Sequence, residues 1–124
     1  VNIKTFSGDG ELQLIHGYGD GGFRVTHQRY KGDLVLFPRT AIEWTVPNLE
    51  TLCLADLRPV LGDTPPALLL LGAGEAPQSQ LSQLAAELKD KGISLELMST
   101  PAACRTWNVL MTEGREAAAV LVAV

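Results

Sequence analysis

The chain has 124 residues, 46% hydrophobic and 19% charged, which suits one soluble globular domain with a real core and argues against a disordered chain. Ten basic against 14 acidic residues leave a formal net charge of −4. Broad electrostatic binding to nucleic acid or to an anionic membrane draws on clustered Lys and Arg, so neither is expected.

The opening Val1-Asn2-Ile3-Lys4 begins no secretory pattern. Leu12-Gln13-Leu14-Ile15 reads as a short strand, followed by the glycine cluster Gly17-Tyr18-Gly19-Asp20-Gly21-Gly22. That cluster lacks the Gly-Lys-Ser/Thr ending of a phosphate loop, and Asp20 opposes phosphate. A flexible or tightly turned surface loop is expected; the alternative, with Tyr18 and Phe23 exposed, is a docking surface. Phe23-Arg24-Val25 alternates as a strand does and is expected to run on to Tyr30. Lys31-Gly32-Asp33 then turns the chain into Leu34-Val35-Leu36-Phe37, a hairpin signature ending at Pro38. Ile42-Glu43-Trp44-Thr45-Val46 is another strand, and Asp56 caps one or two helical turns that Pro59 limits.

After Pro65-Pro66 the pattern changes. The run 67–71 is too continuous for a half-exposed strand and suits one covered on both faces. Gly72-Ala73-Gly74 turns the chain into a helix over 77–91, with Leu81, Leu84, Ala85 and Leu88 on one stripe and Gly92 ending it. A strand (93–98), a helix opening on Ser99-Thr100-Pro101, and an apolar strand (117–124) complete the chain. This β-α-β-α-β order implies a right-handed, mostly parallel arrangement with helices packed on the sheet. The longest apolar runs, 67–71 and 117–124, fall far short of the ~20 residues that span a bilayer. Residues 1–124 are expected to form a single α/β domain with an N-terminal β-meander.

The stretch 98–110, followed by Glu113-Gly114-Arg115 and the terminal strand, resembles a small family of unknown-function domains. Its eukaryotic members include a mitochondrial complex I assembly factor. Gly17 to Val25, the Gly32–Pro38 strand and Leu69-Leu70-Leu71-Gly72-Ala73-Gly74 resemble the same family, so the likeness covers the chain from Ile15 onward. Trp107 stands where many relatives have Tyr. The resemblance implies a three-layer α/β sandwich around a central mixed sheet. It also implies a protein partner in respiratory-complex assembly, and a mitochondrial setting for the eukaryotic members.

Chemistry-bearing motifs are sparse. Thr100 is read as the N-cap with Pro101 at the first helical position, which leaves the N–H groups of Ala102 and Ala103 to favour an anion. Arg105, Asn108, Thr112 and Arg115 share one side of that helix; Ala103, Trp107, Leu110 and Met111 form the other, apolar side. The polar side suits an anionic ligand or an acidic partner segment, or else faces solvent or braces the meander. The candidate anion or partner site is therefore Thr100, Ala102, Ala103, Arg105, Asn108 and Arg115, with Gly72, Gly74, Tyr18 and Arg39. Cys104 lies near the helix start but has no base beside it in sequence, and a packed thiol is expected.

Gly72-Ala73-Gly74-Glu75-Ala76-Pro77 fails as a dinucleotide loop, because Pro77 takes the third glycine position and Glu75 repels a pyrophosphate. Those glycines are expected to allow a tight turn and a close helix–sheet approach. Neither cysteine has a CxxC partner, and His16 and His27 lack metal-ligand spacing, so no metal and no cofactor are expected. Two buried thiols in a reducing cytoplasm are the simpler reading, with a disulfide as the alternative. The expected function is non-enzymatic binding or assembly in the cytoplasm of a bacterium, through a surface joining Thr100–Arg105, the glycine cluster and Arg39. The alternatives are a small-anion-binding or enzymatic domain with its site at the same helix start, and a homo-oligomeric structural subunit.

Overall fold

The continuous leucine run becomes a strand buried on both faces of a six-stranded mixed sheet. The structure, a computed structural model, describes residues 4–7, 11–62, 64–75 and 81–124. In chain order the elements are β1 (Lys4–Ser7), β2 (Ile15–Gly19), β3 (Gly22–Val25), β4 (Gln28–Lys31), β5 (Leu34–Phe37) and β6 (Thr40–Glu43). There follow α1 (Leu54–Leu61), β7 (Leu68–Gly72), α2 (Ser82–Asp90), β8 (Ser94–Met98), α3 (Thr100–Thr112) and β9 (Ala118–Leu121). The large sheet has the order β1-β6-β5-β9-β7-β8, and β2-β3-β4 form a separate antiparallel sheet.

Alternation along the strands sorts the core into two halves. Leu69 and Leu71 of β7 point to one face, where Leu57 and Val60 of α1 and Leu84 and Leu88 of α2 cover them. Leu70 points to the other face, toward Ala103 and Trp107 of α3 and toward Ile15, Phe23, Val25 and Tyr30 of the small sheet. Parallel pairing joins β7 to β8 on one side and to β9 on the other. One crossover therefore moves outward from β7 and the next moves back past it. If both keep the usual right hand, α2 and α3 must lie on opposite faces, as the two core halves show. The result is three layers: α1 and α2, the mixed sheet, then α3 with the small sheet. Only the β9-β7-β8 part is parallel; β5, β6 and β1 extend it antiparallel, so the sheet is mixed and less parallel than the element order suggests.

The N-terminal half departs from its sequence pattern in several places. The first strand of the small sheet begins at Ile15, and Leu12 to Leu14 lie outside the ladder. Gly17–Gly22 is a β-hairpin joining β2 to β3, turned by Asp20 and Gly21 at positive φ. Phe23 is fully buried and not exposed, because it faces α3 from the middle of three strands. The expected strand from Phe23 to Tyr30 breaks at Thr26, whose φ is +51°. Its Oγ1 accepts from Leu14 N (3.0 Å) and donates to Leu12 O (2.8 Å), so local hydrogen bonds hold an unfavourable conformation and fold β3 back onto β4. The turn at Gly32 is a corner between sheets and not a hairpin, since β5 pairs with β6 and β9. The strand expected over Ile42–Val46 leaves the ladder after Glu43. Trp44 is buried and its Nε1 has no partner among the described residues. The first helix begins at Leu54 after Cys53, and Asp56 sits at its third position, accepting from Cys53 N at 3.1 Å.

The predicted 77–91 helix is realised as α2 from Ser82; its expected first turn, 77–80, lies outside the described residues. Leu81 completes the apolar stripe from a left-handed position just before the helix. At the end of β7, Gly72 meets α3 so closely that a Cβ there would lie 3.0 Å from Thr100 Cα, 3.1 Å from Ala103 Cβ and 3.1 Å from Leu121 Cδ2. Two of these neighbours belong to α3, so relief requires the helix to shift. Gly72→Ala is therefore expected to lose about 1–3 kcal/mol by overpacking, read as a lower denaturant midpoint at unchanged slope. An unchanged midpoint would mean that α3 is free to move away.

Candidate functional site

In an open α/β sheet, ligands collect at the carboxyl ends of neighbouring strands whose following helices leave to opposite faces. Here those strands are β7 and β8, and the crevice between their ends is filled by the protein's own hydrogen bonds. Thr100 N donates to Gly74 O (2.6 Å), and Ala73 N donates to Met98 O (2.9 Å). The Thr100 hydroxyl accepts from Gly74 N (2.9 Å) and donates to Val122 O (2.7 Å). Thr100 is fully buried. It is the first residue of α3 and not its cap; Ser99 holds the cap position, with Pro101 second in the helix. Ser99 also takes the two amides expected to meet an anion, its Oγ accepting from Ala102 N (3.3 Å) and its carbonyl from Ala103 N (2.9 Å).

Farther along α3 the two sides separate as the helical wheel predicts. Ala103, Trp107, Leu110 and Met111 are buried, while Arg105 and Thr112 are exposed. Asn108 is engaged: its Oδ1 accepts from Ile15 N (2.8 Å) and its Nδ2 donates to Ile15 O (2.7 Å), as a neighbouring strand would. Trp107 Nε1 donates to Gln13 O at 2.7 Å in the core. Adjacent side chains of α3 thus tie down the segment that leads into β2.

The other expected site residues fall at two ends of the molecule. Gly72, Gly74, Thr100 and Ala103 meet at the carboxyl end of β7. The glycine hairpin reaches the same end, with Gly21 N donating to Val124 O (2.9 Å). Tyr18 lies in that hairpin's first strand, 43% exposed. Arg39 and Arg115 lie together at the far end of α3, roughly 20 Å away by helix rise. They line a cleft of about 340 Å³ with Leu12, Phe37, Met111 and Glu116. A second cleft, of about 360 Å³, lies on the opposite face between the ends of α1 and α2, with Arg58 and Lys91 at its border. The expected surface joining Thr100–Arg105 to Arg39 is therefore not continuous.

Sequence reasoning missed Asp33, whose carboxylate accepts from Val46 N (2.9 Å) and Ala123 N (2.8 Å) and so joins two distant segments. It also missed β1, four residues that pair with β6. His16 and His27 are both exposed, and His27 sits 2.9 Å from Glu11. Among the described residues no three His, Cys, Asp or Glu side chains are grouped to hold a metal. Both thiols are free; Cys104 is buried, but Cys53 is only half-buried because it flanks a helix start near the surface.

Burial pushes the Cys104 thiol up from 9.0 to about 12, with Arg105 pulling weakly the other way. The native thiol keeps its proton where an unfolded one has lost it. Stability from this group is therefore complete below pH 9 and falls between about 9 and 12. Cys104→Ala is expected to flatten that alkaline decline relative to the parent protein, measured by urea unfolding at stepped pH. An unchanged slope would exclude the thiol as its source.

Three layers, a central mixed sheet and a crevice closed by Thr100 define a compact α/β class that is not a doubly wound nucleotide-binding fold. Within that class the chain belongs to the family described as protein of unknown function (DUF498/DUF598), whose model matches residues 15–122. An uncharacterized protein of Rhodobacter capsulatus is 37% identical over 107 residues, covering 86% of this chain and 82% of that protein. NADH dehydrogenase (ubiquinone) 1 alpha subcomplex assembly factor 3 of Danio rerio is 30% identical over 110 residues, covering 88% of this chain and 63% of its own length. This chain thus spans less than two thirds of that assembly factor. A crystal structure of a Bordetella parapertussis protein superposes with a TM-score of 0.80 at 29% identity, covering 92% of this chain and 98% of that one.

Proposed function

We propose that the chain is a non-enzymatic, protein-binding domain of the assembly-factor kind, acting in the cytoplasm of a bacterium on a respiratory NADH dehydrogenase. The observation that carries this reading is the relationship to assembly factor 3, which extends over 88% of this chain. The geometry agrees with it. Thr100 and Asn108, the groups that would have faced a small ligand, hydrogen-bond the chain's own backbone. Cys104 keeps its proton well above neutral pH, which does not suit a nucleophile. What faces outward is broad surface: Tyr18 and Val109, 43% and 55% exposed, and the charged side of the small sheet. No helix among the described residues is long and apolar enough to cross a membrane, so contact with a membrane complex would be made through subunits that project from it.

Tagged protein added to a detergent extract of respiring bacterial membranes should retain NADH dehydrogenase subunits above a tag-only control. Recovery of the bait alone would contradict the assembly reading.

A further inference from the structure

Tyr18, Phe23 and Tyr30 lie side by side across the small sheet, and Phe23 and Tyr30 are packed into the core. The alternate positions therefore face outward. They form two cross-strand rows, Gly17-Arg24-Arg29 and Gly19-Gly22-Lys31. Arg24, Arg29 and Lys31 are all exposed, as is His16 at the bulge between Ile15 and Gly17. Neither row contains an acidic residue; Asp20 is confined to the hairpin tip.

That arrangement is unusual for this chain. With 14 acidic and 10 basic residues overall, a face that served only to be wetted would mix both signs. Gly17, Gly19 and Gly22 add no side chain to the ground between the cations, where Gly22 is itself buried. Arg29 lies along it: its Nη2 donates to Gly19 O at 3.0 Å and would sit 3.3 Å from a Cβ on Gly22. The guanidinium groups of Arg24 and Arg29 are exposed on this face, at hand for carboxylates.

We propose that the outer face of β2–β4 docks a short acidic segment of a partner protein, its carboxylates paired with Arg24, Arg29 and Lys31. This rests on the protein-binding reading above and names the surface and the partner's chemistry. Size and charge favour a peptide over a larger polyanion. Three strands of four or five residues make a face about 10 Å by 15 Å, the reach of a few extended residues. Beyond these cations the chain is more acidic still, so a nucleic acid or an anionic bilayer reaching past the face would meet repulsion within about one Debye length, ~8 Å at physiological salt.

The test is amide NMR on the full chain, titrated with a short synthetic peptide of alternating Glu and Ser. Saturable shifts centred on 17–31 are expected, weakening as salt rises. Arg24→Gln with Lys31→Gln should lower the affinity roughly tenfold. Arg24→Glu with Lys31→Glu should abolish binding while leaving the spectrum elsewhere unchanged. Because these side chains face solvent, the neutral pair keeps the test valid if the reversed pair misfolds. No shift, shifts centred elsewhere, or equal affinity in the neutral variant would overturn the proposal. So would tighter binding to phosphatidylglycerol vesicles or to single-stranded oligothymidylate. If NADH dehydrogenase subunits are still retained from membranes after such a failure, the surface assignment falls and the assembly reading stands.

Discussion

The close approach of α3 to Gly72 is the contact on which the rest of the molecule depends. A helix can sit this low on a strand only where the strand offers no side chain, and Gly72 offers none. The low position brings the Thr100 hydroxyl to both Gly74 N and Val122 O, so one buried side chain ties the ends of β7 and β9 to the helix start. Two turns later the same helix presents Trp107 and Asn108 to Gln13 and Ile15. The small sheet is thereby mounted on α3, with Phe23 and Tyr30 facing into the shared core.

This constraint shapes what the protein can do. In doubly wound enzymes the crevice at the strand ends stays open for a cofactor. Here Thr100 bridges it, and Ser99 takes the nearest helical amides. Thr100, Trp107 and Asn108 of α3 are directed inward, to joining layers, while Arg24, Arg29 and Lys31 on the outer face of the small sheet are exposed.

Much of the C-terminal half was legible in the sequence because one signal dominated each element. The unbroken Leu68–Leu71 run reports burial on both faces, and the spacing of Ala103, Trp107, Leu110 and Met111 reports one helical side. Gly72 and Gly74 mark a close approach and a tight turn, and both occur. The N-terminal half was less legible because its turns depend on partners distant in sequence. Thr26 is held at positive φ by a hydroxyl that donates to Leu12 O and accepts from Leu14 N, and no local propensity reports that. Gly32 fits a hairpin equally well as a corner between sheets; β9, far along the chain, decides. At the candidate site, the alternative that the polar side of α3 braces the meander matches Asn108 on Ile15, whereas the partners of Thr100 were not read. Thr100 is polar at a helix start, and only the tertiary fold shows that backbone groups of Gly74 and Val122 face it.

The central claim is that the start of α3 is already satisfied from within the protein. It is tested most directly by titrating the isotope-labelled chain with phosphate, sulfate and acetate while following the amides of Gly74, Ala102 and Ala103. The account predicts no saturable shift at these three positions. A saturable shift shared by all three, lost on Arg105→Ala, would contradict it and make the helix start a genuine anion site.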